Sequence, residues 1–197
     1  MNLPRVWRAA ILVSGGGTNA LNLIRASRAG EIPAAVLAVL AHRADIPAVE
    51  RCRAVGVEPI ILPLPAGDAS SDAIDAALQG VGAELVLLAG YLRHFRLGPW
   101  SGRTLNIHPA LLPAFGGKGM FGDQVHAAVL RSGARESGCT VHIVDDQYDH
   151  GATIVQRRVP VLDSDTPQTL AARVQQEESA AFCEAIRLWA LRQHPHA

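Results

Sequence analysis

Three short stretches of this chain hold residues whose types and spacing suit chemistry. In LNIHPALLP (105–113), Asn106 and His108 stand two apart. On a strand such residues project from one face, while Ile107 between them points into the core. An amide donor beside an imidazole, where two prolines turn the chain out of a sheet, suits an oxyanion that develops during reaction. The loop DDQYDHG (145–151) crowds Asp145, Asp146 and Asp149 between two apolar strands. Read alone it is a solvated turn; read with His108, one aspartate becomes a proton shuttle of elevated pKa. In SGGGTN (14–19), glycines allow a tight turn whose amides, with the helix N-terminus behind them, face an anion. A strand-to-helix turn with no ligand is the plainer alternative for that loop.

Two further readings of these residues are weaker. Gly15-x-Gly17-x-x-Ala20 matches a dinucleotide fingerprint, which needs an acid at the end of the second strand to hold ribose hydroxyls. That strand ends Ala41-His42-Arg43, with no carboxylate before Asp45, so a single phosphate is favoured over a nicotinamide cofactor. His108, His142 and Asp149 could form a two-histidine, one-carboxylate metal site. No close-spaced ligand pair anchors one, and no metal is expected.

The elements that must position these residues alternate. Apolar runs at 8–14, 34–41, 58–64 and 84–90 read as buried strands. Between them lie helices over 18–30, ending in glycine, over 44–57, with Pro47 in the first turn, and over 70–82, opened by serine caps. Repeated βα units of this length predict an α/β fold, an open, mostly parallel twisted sheet with helices on both faces. The remainder is less regular: a strand at 103–108, a helix at 122–133, and strands at 139–144 and 152–161 joined antiparallel through the acidic loop. A long helix from Asp165 to about Gln193 follows, capped by S-D-T-P. With no linker or repeat in view, residues 1–197 read as a single domain.

Composition narrows the function classes. The 197 residues carry 18 cationic and 18 acidic side chains, so the electrostatic footprint of a nucleic-acid binder is missing. The apolar run before the first glycines is too short to span a bilayer, and three scattered cysteines form neither a zinc pattern nor a disulfide framework. A soluble cytoplasmic protein without membrane or nucleic-acid partners is the expectation. Lys118 is the single lysine of the chain, set among glycines.

SGGGTN, LAGYLR, LNIHPALLP, SGCTVHIVDDQYDHG and ARVQQEE occur in an order and spacing that resembles the folate-dependent glycinamide ribonucleotide transformylases, over about residues 8 to 190. The resemblance implies a formyltransferase fold with a Rossmann-like, phosphate-binding half (1–100) and a catalytic and folate-binding half (101–197). It implies that 10-formyltetrahydrofolate, as co-substrate, donates its formyl group to the amine of glycinamide ribonucleotide in purine synthesis, by a monomer or weak homodimer. Asn106, His108 and Asp149 match the family's catalytic trio. Gly16, Gly17, Thr18 and Asn19 match its phosphate loop, and Gln175 and Glu178 its ribonucleotide contacts. Leu92, Arg93, Asp145, Asp146, Gln147 and Tyr148 match the walls of the folate pocket, with Thr140 and His142 in support. Rivals with the same core act on methionyl-tRNA or an amino sugar, or hydrolyse the formyl folate.

Three departures stand out. Ser70-Ser71 replaces an arginine that the family uses for phosphate, so holding it is expected to rest more on the glycine loop or on Lys118. The loop at 114–126 is longer than usual, and His150 stands where glycine is common.

Overall fold

A computed structural model of the chain describes residues 5–63 and 69–193. The chain divides into two compact units, Met1–Leu105 and Asn106–Ala197.

The first unit is built around β1 (Trp7–Val13), which pairs in parallel with β2 (Ala34–Ala41) and with β4 (Leu85–Leu88). With β3 (Ile60–Ile61) beside β2, the order is β3-β2-β1-β4. A parallel strand flanked on both sides must bury both faces, which is why β1 is a continuous apolar run. Ala9 to Val13 are all buried. Parallel neighbours also require crossovers, here α1 (Thr18–Arg28), α2 (Pro47–Arg53) and α3 (Ala69–Gly80).

Three expected boundaries move for local reasons. The helix expected from residue 44 starts at Pro47, because Ile46 ahead of the proline is extended (φ −84, ψ 146) and the proline takes the first helical turn. The strand expected over 58–64 keeps two residues: Pro59 and Pro63 lack the N–H a ladder needs, and Leu64 lies outside the described residues. α3 opens at Ala69, so Ser70 and Ser71 fall inside its first turn and not at its cap.

β5 (Thr104–His108) carries the chain from the first unit into the second. There α4 (Asp123–Ser132), β6 (Glu136–Ile143), β7 (Thr153–Pro160) and α5 (Pro167–Arg192) follow, in the strand order β5-β6-β7. β6 and β7 are antiparallel, as expected, with a register shift between Val141 and His142. β6 starts at Glu136, earlier than its apolar run suggested, because its ladder extends until Glu136 meets Pro160. The expected α/β class with a mostly parallel sheet is therefore borne out.

α5 packs against β6, β7 and α4. Leu170, Val174, Glu178, Ala181, Phe182, Ala185, Ile186 and Trp189 are its buried face, the three-and-four spacing of a helix with one dry side. Its start is fixed as the sequence indicated: Thr166 and Thr169 form a reciprocal capping box and Pro167 takes the first position. Asp165, two residues ahead, receives Arg173 at 2.6 and 2.9 Å. Phe182 is fully buried, so Phe182→Ala should cost about 3–5 kcal/mol in denaturant unfolding. A cost below about 1 kcal/mol would show that the α5 face is not core. Among the described residues no helix is long and apolar enough to cross a membrane.

Candidate active site

β5 buries Leu105 and Ile107 and leaves Asn106 and His108 on one face of the second unit, where both reach Asp149. The Asn106 amide donates to Asp149 Oδ1 at 3.3 Å, and His108 Nδ1 lies 3.4 Å from Asp149 Oδ2. Asp149 has φ 55, a left-handed conformation that aspartate tolerates better than most residues. The turn between β6 and β7 thus presents its carboxylate inward, 11% exposed, with the His108 side chain 4% exposed.

His142 completes the cluster from β6, one residue past the register shift. Its Nδ1 lies 3.1 Å from the Ile143 carbonyl, its Nε2 is 3.1 Å from the Asn106 amide nitrogen and 3.7 Å from Asp149 Oδ1. A carbonyl only accepts, so Nδ1 carries the proton and the bare Nε2 accepts from Asn106. Both Asn106 N–H groups therefore have partners, His142 and Asp149. His108 Nε2 donates to the Phe115 carbonyl at 2.8 Å, by the same reasoning. The Gly117 amide donates to Asp149 Oδ2 at 3.0 Å.

The electrostatics correct one expectation. Burial pushes the Asp149 carboxyl up, but the His142 ring once its Nε2 carries a proton, the His108 charge and the Gly117 amide together hold it below the usual carboxylate range. The elevated pKa expected of it is overturned, because its donors outweigh its desolvation. Burial lowers the His108 pKa, against the opposing pull of Asp149 and the Phe115 carbonyl. At neutral pH an ionised Asp149 therefore stands beside a neutral His108.

Thr140 serves the turn after β5. Its hydroxyl donates to the Ala110 carbonyl at 2.6 Å and accepts from the Leu112 amide at 3.0 Å. Gln156 of β7, which the sequence did not single out, donates to both Thr140 Oγ1 and the Leu112 carbonyl at 3.0 and 2.7 Å. Asp145 is tied up within its own loop, accepting from the Gln147 amide and from His150 Nδ1, both at 2.9 Å. Those bonds hold its carboxyl below its ordinary value. Asp146, Gln147 and Tyr148 are exposed. On α5, Gln175 is exposed and Glu178 is 8% exposed. Lys118 is not brought into the trio. It lines a concavity of about 460 Å³ with Asp123, Arg131 and Gln168. Among the described residues no group of three or more histidine, cysteine or acidic side chains is arranged to hold a metal ion.

In the first unit the glycine loop closes onto α2. Gly17 sits at φ 77 at the start of α1, and a Cβ there would fall 2.6 Å from Ala48 Cβ. Only glycine meets both conditions. The Ala48 amide donates to the Gly15 carbonyl at 3.1 Å. One turn on, Arg51 donates from a single terminal nitrogen to the Gly16 carbonyl at 2.8 Å and to Thr18 Oγ1 at 3.1 Å. α1 has no side-chain cap and no acidic residue in its first turn, which leaves its leading amides to an outside acceptor. Sequence reading missed Arg51, since only the packing of α2 on the loop brings it there. The LAGYLR segment is anchored alongside: Ser14 donates its amide to the Gly90 carbonyl and accepts the Leu92 amide on its hydroxyl. Leu92 is half exposed and Arg93 half buried.

Comparison with known proteins yields consistent matches. A family model described as formyl transferase matches residues 7–186. The chloroplastic phosphoribosylglycinamide formyltransferase of Arabidopsis thaliana is 39% identical over 93% of this chain. The chain spans 65% of that relative's length, a little under two thirds. The crystal structure of glycinamide ribonucleotide transformylase 1 from Symbiobacterium toebii is 39% identical, with a TM-score of 0.88 over 96% of this chain and 92% of that one. Phosphoribosylglycinamide formyltransferase from Brucella melitensis is 38% identical, with a TM-score of 0.84 over 94% and 96%.

Proposed function

This chain belongs to the formyl transferase family, and from that premise we propose that it transfers the formyl group of 10-formyltetrahydrofolate to the amine of glycinamide ribonucleotide. The observation that carries the reading is the convergence of Asn106 and His108 on the Asp149 carboxylate, at 3.3 and 3.4 Å. The acceptor amine attacks only when unprotonated, and an ordinary α-amino group has a pKa near ~8. Attack forms the new C–N bond and places negative charge on the formyl oxygen. The Asn106 amide exchanges an internal partner for that oxygen. The proton shed by the amine passes through water and the Asp149–His108 pair to N10 of the folate as the C–N10 bond breaks. His108, neutral beforehand, takes positive charge only while the oxyanion exists, with Asp149 beside it.

In this reading Gly16 to Asn19 hold the ribonucleotide phosphate through amides, and Arg51 supplies the cation that Ser70-Ser71 does not. Gln175 and Glu178 contact the ribonucleotide, and Leu92, Arg93 and residues 145–148 the folate. Arg51→Gln should raise KM for the ribonucleotide about tenfold or more with kcat little changed, the mark of lost uniform binding. The same measurement on Lys118→Ala decides whether Lys118 shares the load. An unchanged KM removes either residue from the site.

The test of the reaction mixes the protein with 10-formyl-dideazafolate and follows loss of the formyl group by absorbance. Loss that requires glycinamide ribonucleotide supports the reading. Loss without an acceptor makes the chain a hydrolase, and loss only with another amine moves the acceptor to an amino sugar or an aminoacyl-tRNA.

A further inference from the structure

The segment after the β5 turn touches the reactive pair twice with backbone atoms. The Phe115 carbonyl accepts from His108 Nε2 at 2.8 Å, and the Gly117 amide donates to Asp149 Oδ2 at 3.0 Å. Between them, a Cβ on Gly116 would lie 2.5 Å from Leu112 Cδ2 and 3.1 Å from Asp149 Cβ, so a side chain there would press on both. Phe115 has φ 57, a conformation that a bulky residue keeps only where its surroundings over-determine it. Gly117 follows at φ 100.

We propose that the Phe115–Gly117 strap is a positioning device of the catalytic site: its carbonyl decides which His108 nitrogen bears the proton, and its amide braces the Asp149 carboxylate. A carbonyl can only accept, so the contact commits the His108 proton to Nε2 and turns the bare Nδ1 toward Asp149. The remaining groups facing the pair are Asn106 on β5 and His142 on β6. From α4 comes His126, which interacts with His108 and is itself held low by burial, with Asp123 opposing. None of these bonds His108 Nε2 or Asp149 Oδ2, so the strap alone supplies those two contacts among the described residues.

Loosening the strap moves the two groups in opposite directions. Asp149 loses a donor to its charged form, and its pKa rises. His108 loses the acceptor of its N–H, and its pKa falls. A strap that merely fills space would shift neither.

The experiment uses two variants that loosen the strap differently and one control. Gly117→Ala adds a Cβ into open space but strains a φ of +100, while Gly116→Ala leaves φ alone and pushes on Leu112 and Asp149. Gly119→Ala, at φ +91 and also in open space, applies similar strain in the same loop without a bond to the pair. NMR titration should show Asp149 raised and His108 lowered in both strap variants, by on the order of one pH unit each, and neither moved in Gly119→Ala. The acid limb of the kcat profile should rise with Asp149, and kcat should fall about tenfold or more. Equal shifts in the control, or falling kcat with both titrations unmoved, would overturn the proposal. If neither variant folds, the wild-type protein still decides: nitrogen shifts must show neutral His108 protonated at Nε2, and an Nδ1-protonated ring would overturn it. The kcat arm rests on the formyl-transfer reading, but the titrations do not. Unshifted titrations in an active enzyme sink the strap, and absent transfer with the expected shifts sinks the reaction.

Discussion

Changing Asp149 to asparagine is expected to lower kcat by roughly 10²–10⁴-fold with the fold intact. Asparagine matches the carboxylate in shape, tolerates the φ of 55 found there, and keeps one oxygen for the Asn106 amide. What it loses is the charge that, in the proposed reaction, would stabilise an imidazolium at His108, 3.4 Å away, and relay the amine proton. The pH dependence follows from the direction of the shift. Because the Asp149 pKa is depressed in the folded chain, the carboxylate is ionised at neutral pH, and activity falls only as the pH drops through that lowered value. Stability has the same sign: the contribution is present above the unfolded carboxyl pKa and disappears as the pH falls through the folded one. The variant should lack the acid limb, and its stability deficit should shrink in acid. Single-turnover transfer with both substrates saturating, measured across pH, is the check. A kcat within a few-fold of wild type would remove Asp149 from proton transfer.

Asn106→Ala comes next, with an expected loss of on the order of 10²–10³ in kcat and little change in either KM. The amide is a neutral donor, and in the proposed reaction the oxyanion exists only after attack, so its loss falls on kcat. Truncation also leaves His142 Nε2 and Asp149 Oδ1 without the donor each now has, at 3.1 and 3.3 Å. Asn106→Asp separates the two effects. It fills the same space but offers no N–H and adds a charge beside the oxyanion, so it should be at least as slow as alanine. Steady-state kinetics of both variants, with circular dichroism to verify folding, provide the test. An active aspartate variant would mean that position 106 fills space and does not donate.

Most of the frame was legible in the order of the residues. Continuous apolar runs such as Ala9–Val13 read as strands buried on both faces, and the S-D-T-P stretch fixed the start of α5. Those signals are local: burial on two sides, a missing N–H, or a cap within four residues leaves its mark in neighbouring letters. The same holds for Asn106 and His108, because the two-residue period of a strand puts them on one face wherever that strand lies.

The remaining features depend on neighbours distant along the chain. Whether Asp149 is raised or lowered depends on the balance of burial against the His142 ring, His108 and the Gly117 amide, which arrive from β6, β5 and the strap. The cation at the glycine loop became visible only once Ala48 packed against Gly17 and brought Arg51 over Gly16 and Thr18. Lys118, the residue that composition made conspicuous, lines a concavity with Asp123, Arg131 and Gln168 and does not join the trio. Composition and period report what a segment can bury, but a charge answers to whatever surrounds it in space, and the chain has to fold before those neighbours exist.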